Sequence, residues 1–215
     1  MATFDLEEQE QIDEAKAWWK QHGNKVIWGV TLFLLAAAGW RAWETWSRNQ
    51  SAEASMLYEQ AMQAASMNEL KQAKELAAQI MEKQGITHPG WSAYATPAAW
   101  LAGRINLDQN DLKSARAQFQ FALDHARDDS SVQLARIRLA GVMLDDKDAA
   151  GALKVLEVPF APPFTGLAAQ VRGDVLVALG KMADARAAYL QARDSLGEKS
   201  ALKPLVEMRL DALGG

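Results

Sequence analysis

The chain has 215 residues, 49% of them apolar and 23% charged, with a net charge of −4, room for one domain with a packed core plus an appendage. It contains no cysteine, which excludes disulfides, thiolate chemistry and cysteine-bound zinc. Residues 48–215 carry 19 basic and 20 acidic side chains, so this part lacks the positive footprint that nucleic-acid phosphates require.

Alanine, leucine and long polar side chains dominate while β-branched residues are sparse, a bias that favours helix throughout. The first 25 residues hold six acids and three lysines. Within them Asp5 to His22 reads as a short helix, the main part of an amphipathic segment over 1–24. Asp5 suits its cap, and Glu7, Glu8 and Glu10 complement the positive end of its dipole. Ile12, Ala15 and Trp19 fall on one face. That face suits either a cytoplasmic docking helix or an interfacial helix that continues into the next, apolar segment.

Val26 to Trp40 (VIWGVTLFLLAAAGW) is free of charge. At 1.5 Å per residue it covers about 22 Å, short of the roughly 30 Å hydrocarbon core. The flanks complete it, Arg41 by snorkelling its guanidinium to the headgroups. Trp18, Trp19 and Trp28 stand at one end and Trp40, Trp43 and Trp46 at the other, where aromatic belts form. Residues 25–46 are therefore expected to cross a membrane. A cleaved signal peptide would need a short basic start instead of 25 acid-rich residues. Ahead of the span stand Lys16, Lys20 and Lys25, and after it Arg41 and Arg48. The margin of three to two places the N-terminus in the cytoplasm and residues 47–215 outside.

Beyond the span, one pattern recurs four times: a helix, a polar turn, and a second helix with small or apolar residues at fixed offsets. The turns are Asn68–Ala73, Asn110–Ala115, Lys147–Ala152 and Gly180–Ala185. Twelve residues before each closing alanine stands another small residue: Ala61, Gly103, Ala140 and Gly173. Small side chains let two helices pack closely, and the large residue four positions on is expected to fill the next repeat's groove. The pattern resembles the tetratricopeptide repeat. Repeats two and four match it well; Ala77 and Ile80 depart in the first, and Pro159 in the third. Gly85–Pro97 and Val158–Gly166 read as interruptions, and Glu198 to Leu213 as a capping helix. The expected fold is all-α, one membrane helix followed by an α-solenoid of about four helix pairs plus a cap.

Catalytic signatures are missing from the sequence. His22, His88 and His125 lack metal-ligand spacing, and no phosphate loop, nucleophile elbow or dinucleotide fingerprint occurs. Asp128-Asp129 and Asp145-Asp146 fall at helix ends and turns. An enzyme, a cofactor or a metal site is not expected.

The order of features resembles the ancillary SecYEG translocon subunit family, the YfgM-like proteins, over essentially the whole chain. The specific points are Trp18-Trp19, His22-Gly23 and Gly39-Trp40-Arg41-Ala42-Trp43. The resemblance implies an inner-membrane anchor, a periplasmic repeat domain, association with SecYEG and with a PpiD-type periplasmic chaperone, and a link between translocation and chaperones. A scaffold of another envelope assembly, in cell division or outer-membrane assembly, is the alternative. In usual tetratricopeptide geometry three positions of each first helix face the groove. Here these are Tyr58, Met62 and Ala65; Trp100, Arg104 and Leu107; Ile137, Gly141 and Leu144; and Gln170, Asp174 and Val177. Tyr58, Trp100, Arg104, Leu107, Ile137, Leu144, Asp174 and Val177 are the expected binding residues, though several read equally well as core.

Overall fold

The computed structural model describes residues 6–85 and 90–214. The Asp5 cap and the His88-Pro89 turn lie outside the described residues, as do the side chains of Glu7, Glu8 and Glu10. Nine helices appear among the described residues: α1 (Leu6–Ser66), α2 (Leu70–Lys83), α3 (Ser92–Asp108), α4 (Leu112–His125), α5 (Asp129–Asp145), α6 (Ala149–Val155), α7 (Pro162–Ala178), α8 (Met182–Ser195) and α9 (Lys203–Ala212). The chain divides into two compact units, 1–49 and 50–215.

The described part of the first unit lies in α1, so the expected short helix and the apolar run belong to one uninterrupted helix. Its apolar window is wholly unburied; Ile27, Phe33 and Leu34 are all more than half exposed. This helix is long and apolar enough to cross a membrane. Its hydroxyls are satisfied internally, Thr31 Oγ1 donating to the Ile27 carbonyl at 2.8 Å and Thr45 Oγ1 to that of Arg41 at 2.9 Å.

In the second unit, residues 50–66 of α1 share core clusters with α2, Ala54 with Ala77 and Ala64 with Ala73; α3 pairs with α4, α5 with α6 and α7 with α8, and α9 closes the array against α8. All four pairs turn the same way. Asn68, Asn110, Lys147 and Gly180 each take a positive φ, between 58° and 74°. The next backbone N–H then reaches back to a carbonyl of the preceding turn: Glu69 to Ala64, Asp111 to Asn106, Asp148 to Met143 and Lys181 to Leu176, each at 2.8 or 2.9 Å. This left-handed cap satisfies orphan carbonyls and reverses the chain within a few residues. Asp111 and Asp148 then cap the following helices, accepting from the Ser114 and Gly151 N–H groups.

The closing alanines Ala73, Ala115, Ala152 and Ala185 are fully buried. The large residue four positions later shares a core with the helix that follows its pair, Phe119 with Ile137 and Ala140 of α5 and Tyr189 with Val206 and Leu210 of α9. It also lies on the small residue of its own first helix: a β-carbon on Gly103 would stand 3.0 Å from the Phe119 ring, and one on Gly173 would strike Tyr189. Size is matched within the pair. Glycine faces an aromatic ring in pairs two and four, whereas alanine goes with Ala77 in pair one and Leu156 in pair three, all four buried.

Both interruptions are shorter than expected. The helix α3 starts at Ser92 and carries Pro97 inside it, so Pro97 costs one hydrogen bond without ending the helix. Pro162 opens α7, where a proline's missing N–H has no partner to lose. The cap α9 starts at Lys203, after a turn, and not at Glu198. Lys147 supplies a test of the shared turn. A side chain in the left-handed region costs about 1 kcal/mol, so Lys147→Gly should stabilise the repeat unit by about that much in urea unfolding, and Gly180→Ala should destabilise it by a similar amount.

Candidate binding groove

Four of the sequence-predicted groove residues come together. Tyr58 and Met62 from α1 meet Trp100 and Arg104 from α3 around a cavity of about 550 Å³. Ala93, Thr96 and Pro97 extend the α3 wall, and Arg127, Asp128, Ser131 and Leu134 close it from the start of α5. Arg127 and Asp128 precede α5 and Ser131 stands in its first turn, so no helical spacing in the sequence points to them, whereas Leu134 stands three residues before Ile137, on the face expected of α5. Pro97 cannot donate to the Ala93 carbonyl, which leaves a hydrogen-bond acceptor on the same helix turn.

The side chains are held in different ways. Trp100 sets its ring edge-on to Phe119, with centroids 6.3 Å apart and planes at 85°. It is therefore part core and part groove wall. Tyr58 leans on Tyr94, and burial pushes its hydroxyl pKa up. Arg104 is exposed and pairs with Asp108 one turn along at 3.1 Å, an exchangeable surface contact worth little to the fold. Asp128 is committed: it accepts from the Ser131 N–H at 2.9 Å, and those hydrogen bonds hold its carboxyl below the usual range.

The other expected residues do not share this cavity. Leu107 and Leu144 line a separate, more polar depression at the turn end of the pairs, with Asp145 and Lys147. Ala65 and Val177 are half-buried beside core clusters, and Gly141 is half-buried. Ile137 is a correction: only 2% exposed, it belongs to the core with Phe164, Leu167 and Val171 of α7 packed around the same cluster. Asp174 and Gln170 are corrections too. Gln170 is buried, and its amide donates to Asp174 at 2.6 Å; the Tyr189 hydroxyl donates at 2.6 Å and Arg209 pairs at 2.7 Å. This network ties α7, α8 and α9 together and leaves the Asp174 carboxylate no free oxygen for a partner.

The cause is the third pair. Ahead of Val158-Pro159, whose proline lacks an N–H and restricts Val158, α6 has 7 residues where α2, α4 and α8 have 14. The short helix leaves α7 to pack directly on α5, which covers Ile137. The groove is open between α3 and α5 and closed between α5 and α7. The residues around the cavity offer apolar surface with two guanidinium groups. Among the described residues no group of three or more His, Asp or Glu could hold a metal ion. His125 caps its own helix, its ring nitrogen 2.9 Å from the Phe121 carbonyl.

The Asp174 network carries a sign that can be checked. Burial pushes the Asp174 carboxyl up, outweighing Tyr189, Arg209 and Gln170, which pull it down. A carboxyl raised in the folded state binds its proton more tightly there than when unfolded. Its contribution is therefore present at low pH and lost as pH rises through the folded value. Melting the wild type and Asp174→Asn at pH 4.5 and pH 7.5 should show the wild type gaining on the variant at the lower pH. A gap moving the other way would contradict this reading of the burial.

A tetratricopeptide repeat-like domain model matches residues 16–215. A protein of Neisseria gonorrhoeae is 30% identical, covering 97% of this chain and 98% of its own length; it is named ancillary SecYEG translocon subunit. Proteins with the same name from Haemophilus influenzae and Escherichia coli are 28% and 27% identical, covering 90% and 96% of this chain and 92% and 96% of their own. With four matched turns, an unburied apolar helix and relatives of the same extent, this chain belongs to the family of ancillary SecYEG translocon subunits and carries its tetratricopeptide repeat-like domain.

Proposed function

We propose that this protein is a non-enzymatic inner-membrane accessory of the SecYEG translocon. Residues 25–46 anchor it, residues 1–24 face the cytoplasm, and residues 47–215 form a periplasmic repeat domain that links translocation to a PpiD-type chaperone. The observation that carries the reading is the open cavity between α3 and α5, on a domain of the family whose relatives are named for the translocon. An apolar groove with a few placed polar groups suits a protein segment. Tyr58 and Trp100 supply aromatic surface, Met62 an adaptable one, and Arg104 a donor for a carbonyl or carboxylate. Leu107 and Leu144, set apart from the cavity, are proposed as secondary contacts at most, and Val177 lies with the closed half, packed against the α7–α8 core.

Capture of the translocon subunits and of the chaperone from gently solubilised membranes tests the reading. Arg104→Ala with Met62→Ser should weaken capture about tenfold or more, as hot-spot truncations do, with the melting temperature nearly unchanged. Trp100→Ala should weaken capture and also lower stability by about 1 kcal/mol, since it breaks the edge-on contact with Phe119. Undiminished capture by both variants would remove the cavity from the account; capture of cell-division or outer-membrane assembly factors alone would favour the scaffold alternative.

Topology has its own test. Protease added to spheroplasts should degrade residues 47–215 and spare the first 25. Protection of the large domain until lysis would reverse the orientation.

A further inference from the structure

The part of α1 that precedes the span presents a second unpartnered surface. At about 100° per residue, Trp18, His22, Ala15, Trp19, Ile12 and Gly23 fall within one arc of about 140°. Ile12, Trp18 and Trp19 are exposed at 43%, 53% and 52%. His22 stacks on Trp18, with centroids 5.3 Å apart, and so widens the flat aromatic part of the arc. Ile12, Ala15 and Trp19 border a shallow depression with Lys16 and Lys20.

Charge frames the arc in a definite way. Lys16 and Lys20 project along one border and Lys25 along the other, while Asp13, Glu14, Gln21 and Asn24 occupy the opposite face. Lys16 pairs with Asp13 at 2.9 Å, both side chains largely in solvent; Lys20 and Lys25 pair with no carboxylate among the described residues. An apolar arc bordered by lysines, with acids kept to the far side, matches a surface that is apolar below and anionic at its rim. The helix runs without a break into the apolar span, and Trp19 stands seven residues from Val26, about 10 Å along the axis. Gly23 lies between them: glycine in a helix interior is destabilising, and the Trp19 ring stands about 3.0 Å from where its β-carbon would be.

We propose that residues 12–25 bind the surface of the membrane the protein spans, with the Ile12–Trp18–Trp19 arc in the headgroup boundary and Lys16, Lys20 and Lys25 on anionic phospholipid phosphates. For residues 12–22 to lie on that surface, the helix, uninterrupted in the structure, bends at Gly23 when it meets the membrane. This goes beyond the repeat domain's role and does not depend on it.

The chain has no cysteine, so single-cysteine variants of the full-length protein take one spin label each. Labels at Ile12 and Ala15 sample the arc, and labels at Glu14 and Gln21 the opposite face. In nanodiscs containing phosphatidylglycerol, the ratio of oxygen to water-soluble nickel accessibility should be several-fold higher at 12 and 15 than at 14 and 21. Phosphatidylcholine alone, or Lys16→Glu with Lys20→Glu, should reduce that difference. Equal aqueous accessibility at all four sites would overturn the proposal. So would shielding of 12 and 15 from both reagents only when purified translocon is added, since that is the mark of a protein partner. Neither result would bear on capture of the translocon by the repeat domain.

Discussion

Everything in the repeat unit depends on how closely two helices of a pair can approach, and that is set by one contact. The small residue of the first helix must accommodate the side chain sixteen positions later. Where that side chain is Phe119 or Tyr189 the small residue is glycine; where it is Leu156 or Ala77 it is alanine. Overfilling such a contact costs about 1–3 kcal/mol, so the two positions constrain each other. The left-handed turns at Asn68, Asn110, Lys147 and Gly180 deliver the second helix onto the first at the same offset every time. Turn and contact together define a pair.

Pairs that are alike make a groove that is not uniform, because the third pair is cut short. α6 stops at Val155 after two turns, ahead of Val158-Pro159, α7 takes the space on α5, and Ile137 passes from groove to core. The Asp174 network then fixes α9 against the closed half. The open half keeps a cavity with Tyr58, Met62, Trp100 and Arg104 on two helices and the start of α5 on a third side. The short third pair therefore decides where a partner has room.

Much of this was legible in the residues. The Ala73, Ala115, Ala152 and Ala185 spacing marks four turns because close helix approach needs small side chains at fixed offsets. The apolar run Val26–Trp40 is conspicuous because lipid imposes its own composition. The groove was legible only in part. A periodic rule assigns Ile137 and Asp174 to the same face as Trp100, yet what covers that face depends on a short α6 and a tyrosine fifteen residues away from Asp174. Arg127 enters the cavity from the turn before α5, which no helical pattern contains, whereas Leu134 follows the same helical spacing as Ile137 and was legible in it. Pro97 misled in the other direction: it reads as a break, but a long helix packed on both sides absorbs one missing hydrogen bond.

The central claim is that the binding surface is the open half of the groove and that the half beyond α5 is closed core. Hydrogen exchange of the full-length protein in nanodiscs, with and without purified SecYEG and chaperone, tests it directly. Added partners should slow exchange in residues 92–104 and 127–134 and leave residues 166–192 unchanged. Slowing confined to 166–192, with none around the cavity, would contradict the account.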